Sequence, residues 1–170
     1  MVLGMSLGTY TLLHVVISLI GISSGFIVMY GFLKGKPLNS WTAVFLTTTA
    51  LTSITGFGFP FTHLLPSHRV GILSLVVLAI AIPARYLFHR AGRWRAIYVI
   101  GSTIALYLNV FVLVVQSFLK IPALKALAPT QTEAPFAVAQ LTVLAAFIVL
   151  GVFAMKKFRL EPVRTMSRAA

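Results

Sequence analysis

The chain has 170 residues, of which 59% are hydrophobic and only 9% are charged, and its mean hydropathy is +0.99. This composition excludes a soluble globular domain and predicts an integral membrane protein. The chain has no cysteine, which excludes disulfides, thiolate metal sites, iron–sulfur clusters and covalently attached haem.

Five long apolar segments follow one another along the chain. A bilayer core of about 30 Å requires roughly 20 apolar residues per helix, and these segments are continuous rather than alternating, which argues against a strand barrel. The predicted fold is all-α: a bundle of five transmembrane helices forming one domain over residues 1–157, followed by a basic cytoplasmic tail at 158–170. The predicted spans are residues 9–33, 41–65, 70–88, 96–119 and 135–155.

The first and third segments each raise a question about their ends. Residues 1–33 contain no charged side chain, and no basic stretch precedes the apolar run, so we expect it to stay in the mature protein rather than act as a cleaved signal peptide. The third segment has Pro83 and Arg85 near its end. It crosses the membrane if the Arg85 side chain extends to the interface beside Tyr86.

Lysine and arginine residues alternate between the two predicted sides of the membrane. Three of the 14 fall on one side, at Arg69, Lys120 and Lys125. By the positive-inside rule, the N-terminus is therefore predicted to lie outside and the C-terminus in the cytoplasm of a bacterial-type inner membrane. The 11 residues on the cytoplasmic side are Lys34, Lys36, Arg85, Arg90, Arg93, Arg95, Lys156, Lys157, Arg159, Arg164 and Arg168.

This topology accounts for most of the net charge of +12, so no nucleic-acid partner is expected. The cytoplasmic cations are instead expected to contact membrane lipids, especially anionic ones, because anionic headgroups attract basic segments next to a membrane. The candidate headgroup ligands are Arg90, Arg93, Arg95, Lys156, Lys157 and Arg159.

No motif of a soluble enzyme is present, and we lean against an enzyme. Gly56-Phe57-Gly58 lacks the third glycine of a dinucleotide fingerprint, and a Ser-His-Asp set is excluded because the chain contains no aspartate. The two carboxylates, Glu133 and Glu161, are predicted on opposite faces of the membrane. Paired-carboxylate chemistry within one chain is therefore excluded.

Polar and small residues share faces on the predicted helices. In the first span Gly21 and Gly25 form a G-x-x-x-G pair on the face that also carries His14 and Ser18. Such pairs permit close helix packing, and self-association through this face is one partner prediction; other membrane subunits are another. In the fourth span Ser102, Asn109 and Gln116 recur every seven residues, and we expect this face to point inward because amides in hydrocarbon need partners.

Several polar groups are predicted to lie in the outer third of the bundle. Two glycines and a proline in residues 56–61 should kink or unwind the second helix at that depth. Together these features predict an outward-facing polar pocket. The candidate ligands for a cofactor are His14, His63, Gln116, Gln140 and Asn109, and those for a metal ion are His14, His63 and His68.

The longest connection, residues 120–134, carries helix start and stop signals. Pro122 is expected to begin a short interfacial helix that extends through Leu127, and Pro129 to end it. Thr130 or Thr132 is then expected to cap the fifth span, with Glu133 in its first turn.

Three functions are compatible with these features. The principal prediction is a binding or accessory subunit of a membrane complex. Helix count and histidine placement are similar to those of small bacterial b-type cytochrome membrane domains, which implies haem b or quinone binding as the alternative. His89 has no partner histidine at its depth, so one haem at most is implied. The third prediction is a small oligomeric transporter or channel, suggested by the break in the second helix.

Overall fold

The computed structural model describes residues 2, 4–60 and 66–158, and over these residues it contains six helices and no β-strand. We number them α1 (Leu7–Leu33), α2 (Asn39–Gly56), α3 (Pro66–Tyr86), α4 (Arg93–Lys120), α5 (Pro122–Leu127) and α6 (Ala134–Lys157). Four of the helices in this part of the chain are long and apolar enough to cross a membrane: α1, α3 from Ser67, α4 and α6. The prediction of an all-α membrane protein is thereby confirmed.

Helix α2 is shorter and more polar than the other long helices. It has 18 residues, of which eight are serine or threonine, and it is not among the four helices that qualify by length and hydropathy. It ends at Gly56, nine residues before the predicted end at residue 65, and closes with Phe57 and Gly58 amides bonded to the carbonyls of Ile54 and Thr55.

The glycines and the proline of residues 56–61 agree with an early end of α2, and a tertiary contact fixes the chain just after it. A Cβ atom on Gly58 would lie 2.1 Å from the Tyr10 hydroxyl oxygen of α1, so only glycine fits there. The same hydroxyl donates a hydrogen bond of 2.7 Å to the Thr55 carbonyl oxygen. The last turn of α2 is therefore tied to the start of α1.

Helices α1 and α2 run antiparallel along their shared length. Tyr10 meets Thr55 at one end, Gly21 lies against Thr48 and Thr49 in the middle, and Gly31 packs on Leu38 at the other end. A Cβ on Gly31 would lie 2.8 Å from the Lys36 carbonyl oxygen, which explains the close turn between the helices.

Neighbouring long helices continue this up-and-down order. Gly101 of α4 packs on Ala81 of α3, and Gly151 of α6 packs on Thr103 of α4. Most of the cations in the described ranges therefore lie at one end of the bundle, which we call the basic end. It holds the helix ends and turns at Lys34–Leu38, Arg85–Arg95 and Met155–Phe158.

The core lies between α1, α2, α3 and α4. It includes Phe32, Phe45, Tyr98 and Leu106, all at most 2% exposed. Phe158, just after α6, closes the core at the basic end, with its ring 4.8 Å from that of Phe32. Among the four helices that are apolar enough to cross a membrane, α6 contributes least: 6% of its most apolar stretch is buried, against 39% for α4.

The connection between α4 and α6 was predicted in part. Helix α5 has the predicted bounds, with Pro122 at its first turn. The cap of α6 differs from the prediction, because Glu133 itself occupies the N-cap position. Its carboxylate accepts hydrogen bonds from the amides of Thr130 and Thr132 and from the Thr130 hydroxyl. Loss of contact with water alone would raise the pKa of Glu133, but these bonds outweigh it and lower the pKa.

Candidate functional sites

His14 links α1 to α2 through its imidazole. Its Nδ1 atom lies 2.8 Å from the Thr55 hydroxyl oxygen, and that hydroxyl donates its own proton to the Leu51 carbonyl oxygen at 2.7 Å. The network therefore assigns the proton of the neutral ring to Nδ1, and it leaves the lone pair on Nε2. Phe59 covers the ring edge-on, with centroids 5.1 Å apart.

Asn109 and Gln140 each bond a different neighbouring helix. The Asn109 side-chain amide donates to the Thr49 hydroxyl oxygen at 3.0 Å, which joins α4 to α2. The Gln140 amide donates to the Phe111 carbonyl oxygen at 3.2 Å, which joins α6 to α4, and its Oε1 atom is buried without a partner. A third link of this kind, not predicted, is Gln131, whose amide donates to the Val115 carbonyl oxygen at 2.9 Å.

Gln116 and His68 differ in exposure. The face predicted to point inward is buried at Ser102, but Gln116 is exposed. Asn109, one heptad before Gln116, is partly buried and bonds Thr49, so this face of α4 is covered along only part of its length. His68 is 3% exposed, with its ring 5.5 Å from that of Phe57.

The predicted metal triad falls only partly within the described residues. His63 lies outside them, so the set of His14, His63 and His68 is a prediction that the structure does not test. Within the part of the chain that the structure describes, no group of three His, Cys, Asp or Glu side chains is placed to hold a metal ion.

The glycine pair of α1 is used inside the chain. Gly21 is buried against Thr48 and Thr49 of α2, and a Cβ on Gly25 would lie 2.5 Å from Leu106 Cδ1 of α4. The observed role of this face is therefore the packing of α1 against α2 and α4.

Arg85 turns into the bundle rather than out to the interface, and only 7% of it is exposed. Its Nη2 donates to the Asn39 side-chain oxygen at 2.9 Å and its Nη1 to the Tyr98 hydroxyl at 3.2 Å. The guanidinium also lies 5.1 Å and 5.3 Å from the ring centroids of Tyr86 and Tyr98. Its Nε atom is buried without a hydrogen-bond partner. The sequence signal for this site was an arginine inside an apolar segment. A charged side chain at such a position costs free energy, and for this reason it often marks a functional site.

Arg90 lies close enough to Arg85 for the two charges to repel. Burial lowers the pKa of the Arg90 guanidinium from its ordinary value, and the positive charge of Arg85 lowers it further. The loop bends Arg90 back so that its amide bonds the Ala84 carbonyl oxygen at 3.0 Å. This bend places His89 and Arg90 at φ values of 47° and 60°, which non-glycine residues rarely adopt. The Nη1 atom of Arg90 is buried without a partner.

The other predicted headgroup ligands differ in exposure. Arg95 donates from Nη1 to the carbonyl oxygens of Met155 and Phe158, at the C-terminal end of α6, where a cation also complements the helix dipole. Arg93, Lys156 and Lys157 are exposed, and Arg159 lies outside the described residues.

An apolar groove of about 450 Å³ opens between α4 and α6. Thr103 and Tyr107 of α4 face Phe147 and Gly151 of α6 across it, and Lys156 lies at its basic end. None of His14, Asn109, Gln116 and Gln140 lines this groove. The groove is open along one side.

Comparison of the chain with protein-family models, with curated proteins and with solved structures finds no match.

Proposed function

We propose that this protein is a non-catalytic accessory subunit of a membrane complex, which binds a transmembrane helix of another subunit in the groove between α4 and α6. The observation that carries the proposal is that the polar side chains bond helices of this chain, whereas the apolar groove is not filled by it. His14 and Asn109 each bond α2 and Gln140 bonds α4, whereas the α4–α6 groove is open and α6 is almost unburied. The polar side chains thus join helices of this chain to one another, and the surface available to a partner is apolar.

A helix is a better occupant of this groove than lipid chains alone. Gly151 packs on Thr103 where α4 and α6 meet, so this part of the groove lining carries no large side chain. Small residues let helix backbones approach closely, which is the usual basis of helix association in membranes. Lipid chains gain nothing from small side chains. The Tyr107 ring borders the same groove and offers a broad contact surface.

Cysteine crosslinking tests the partner, because the chain has no cysteine of its own. Ile148 lines the groove and Val149 does not, although both are exposed and similar in size. In native membranes, Ile148→Cys should crosslink to one discrete membrane protein and Val149→Cys should not. Val152→Trp, which fills the groove from an exposed position, should abolish that product, whereas Val149→Trp, at an exposed position outside the groove, should preserve it. A product with twice the mass of this chain, or equal crosslinking from both positions, would contradict the proposal.

The proposed topology has five spans, with the N-terminus outside and the C-terminus in the cytoplasm of a bacterial-type inner membrane. Its support is that α2 runs beside α1 from Gly31 to Tyr10, and that 18 helical residues extend about 27 Å at 1.5 Å each, close to the thickness of a bilayer core. The 11 to 3 distribution of cations sets the direction. Reporter fusions after Gly35 and Ala91 should report cytoplasm, and a fusion after Ala128 should report outside. A cytoplasmic signal at Ala128 would overturn the five-span topology.

A single haem bound at His14 is the second candidate function. It is favoured by the tautomer: a haem-ligating histidine holds its Nδ1 proton on a neighbouring acceptor and presents the Nε2 lone pair, which is the arrangement of His14 and Thr55. Purified protein should then show a Soret band that His14→Ala removes and Thr55→Val weakens. For the quinone alternative the supporting observation is the unpartnered Oε1 atom of Gln140, and Gln140→Leu should reduce quinone co-purification. Protein purified from native membranes without haem or quinone would exclude both.

The exposed cations Arg93, Lys156 and Lys157 are proposed to contact anionic lipid at the basic end, each contributing about 1 kcal/mol.

A further inference from the structure

We propose that Arg85 and Arg90 form a specific phosphate-binding site at the basic end, and that its natural occupant is the phosphate of an anionic lipid headgroup or free inorganic phosphate. This inference does not need the partner helix proposed above. It rests on the proposal that the basic end contacts anionic lipid, and it adds one specific binding site to a surface that otherwise attracts lipid without specificity.

The charge on Arg85 is buried without a negative partner among the described residues. Its two hydrogen bonds go to the neutral side chains of Asn39 and Tyr98, and the rings of Tyr86 and Tyr98 cover its faces. Glu133 is the only carboxylate in the described ranges, and it lies at the opposite end of the bundle. A buried charge is costly unless an opposite charge accompanies it.

A second arginine lies close to the first in the fold. The Arg90 amide bonds the Ala84 carbonyl oxygen at 3.0 Å, next to Arg85, and the turn that brings it there has a left-handed backbone at His89 and Arg90. Both guanidinium groups keep one buried N–H donor without a partner, Nε in Arg85 and Nη1 in Arg90. An anion bound here would reduce the repulsion between the two cations. It would also accept hydrogen bonds from the two unpartnered donors, and we infer that this is the role of the site.

A phosphate group fits these donors better than a carboxylate does. Guanidinium forks match phosphate geometry, and the several oxygens of one phosphate can accept from two arginines that approach from different directions. Arg90 is partly exposed whereas Arg85 is buried, so the phosphate group would enter from the Arg90 side.

The test compares Arg90→Gln with Arg93→Gln, which removes the same charge from an exposed position three residues away. Native mass spectrometry measures phosphatidylglycerol retained by protein released from nanodiscs of phosphatidylglycerol and phosphatidylcholine. Both variants lose the diffuse surface attraction, which is about fivefold per charge. Arg90→Gln should lose about tenfold more, because it also loses a charge-assisted hydrogen bond. Arg85→Lys, which keeps the charge but not the fork, should bind as weakly as Arg90→Gln.

The thermal stability of the protein in phosphatidylcholine distinguishes the two sources of phosphate. If inorganic phosphate stabilises the wild type but not Arg90→Gln, relative to chloride at equal ionic strength, free phosphate occupies the site. If only phosphatidylglycerol does so, the occupant is lipid. Equal loss of lipid from Arg90→Gln and Arg93→Gln would overturn the site and leave only diffuse attraction. The site is also refuted if the wild type responds to neither probe and Glu161→Gln acquires a response, because the anion is then a carboxylate of this chain. Stabilisation of the wild type by an acidic peptide alone would equally refute it.

Discussion

Substitution of Gly25 by alanine should destabilise the bundle although alanine favours helix. An added Cβ would lie 2.5 Å from Leu106 Cδ1 and 2.9 Å from Phe45 Cε2, whereas carbon atoms in contact prefer about 3.5–4.0 Å. Neither neighbour has room to move, because Phe45 and Leu106 are 0% and 1% exposed. Overpacking of this kind costs about 1–3 kcal/mol.

Gly8→Ala is the matched control for this prediction. Gly8 lies on the same helix, and a Cβ there would meet only the Ser6 hydroxyl at 3.9 Å. Alanine is preferred to glycine by about 1 kcal/mol in a helix interior, where Gly25 lies, and by no more than that in the first turn, where Gly8 lies. The helix preference therefore cannot make Gly25→Ala the less stable variant, and we expect the clash to make it about 1–3 kcal/mol less stable than Gly8→Ala.

Reversible unfolding in mixed micelles of detergent and denaturing surfactant measures both free energies. A double-mutant cycle adds a sharper criterion: Leu106→Ala removes the clashing methyl group, so Gly25→Ala should cost less in that background, by about 1 kcal/mol or more. Equal shifts for Gly25→Ala and Gly8→Ala would refute the close packing of α1 on α2 and α4. No coupling between residues 25 and 106 would refute the contact with α4 in particular.

Local sequence signals predicted the elements whose causes are local. Apolar runs identified α1, α3, α4 and α6, and Pro122 fixed the start of α5, because hydropathy and the missing proline N–H act within a few residues. The two glycines and the proline of residues 56–61 also predicted a break in the second helix, and α2 ends at Gly56. What lies against that break was not predictable in this way, because the Tyr10 hydroxyl that contacts Gly58 belongs to another helix and leaves no pattern within α2 itself.

The polar residues show the same limit more clearly. The sequence identified His14, Asn109 and Gln140 as expensive in hydrocarbon, and each does have a hydrogen-bond partner. Which partner each residue bonds depends on how the helices are placed. The prediction that these polar residues lie at one depth therefore could not distinguish a shared pocket from separate hydrogen bonds between helices. Arg85 was expected at the interface for a similar reason: the groups that receive it, Asn39 and Tyr98, belong to α2 and α4.

Two further changes test individual hydrogen bonds. Asn109→Leu should lower the free energy of unfolding by about 0.6–2 kcal/mol, the range for a hydrogen bond between membrane helices, and Thr49→Val should do the same. The double variant should lose little more than either single variant. Additive losses would show that the two side chains do not interact. At Glu133, the hydrogen bonds from Thr130 and Thr132 lower the pKa, so the folded carboxylate should titrate at a lower pH than the unfolded one. Because the folded-state pKa is the lower of the two, the stability that this carboxylate contributes is complete above its unfolded pKa and is lost as the pH falls through its folded pKa. NMR titration of labelled glutamate carboxyls resolves it, since the chain has only two glutamates. Thr130→Val removes the hydroxyl donor and should move the Glu133 midpoint upward without moving that of Glu161, and an unchanged Glu133 midpoint would show that the Thr130 hydroxyl does not hold the carboxylate in the membrane-embedded protein.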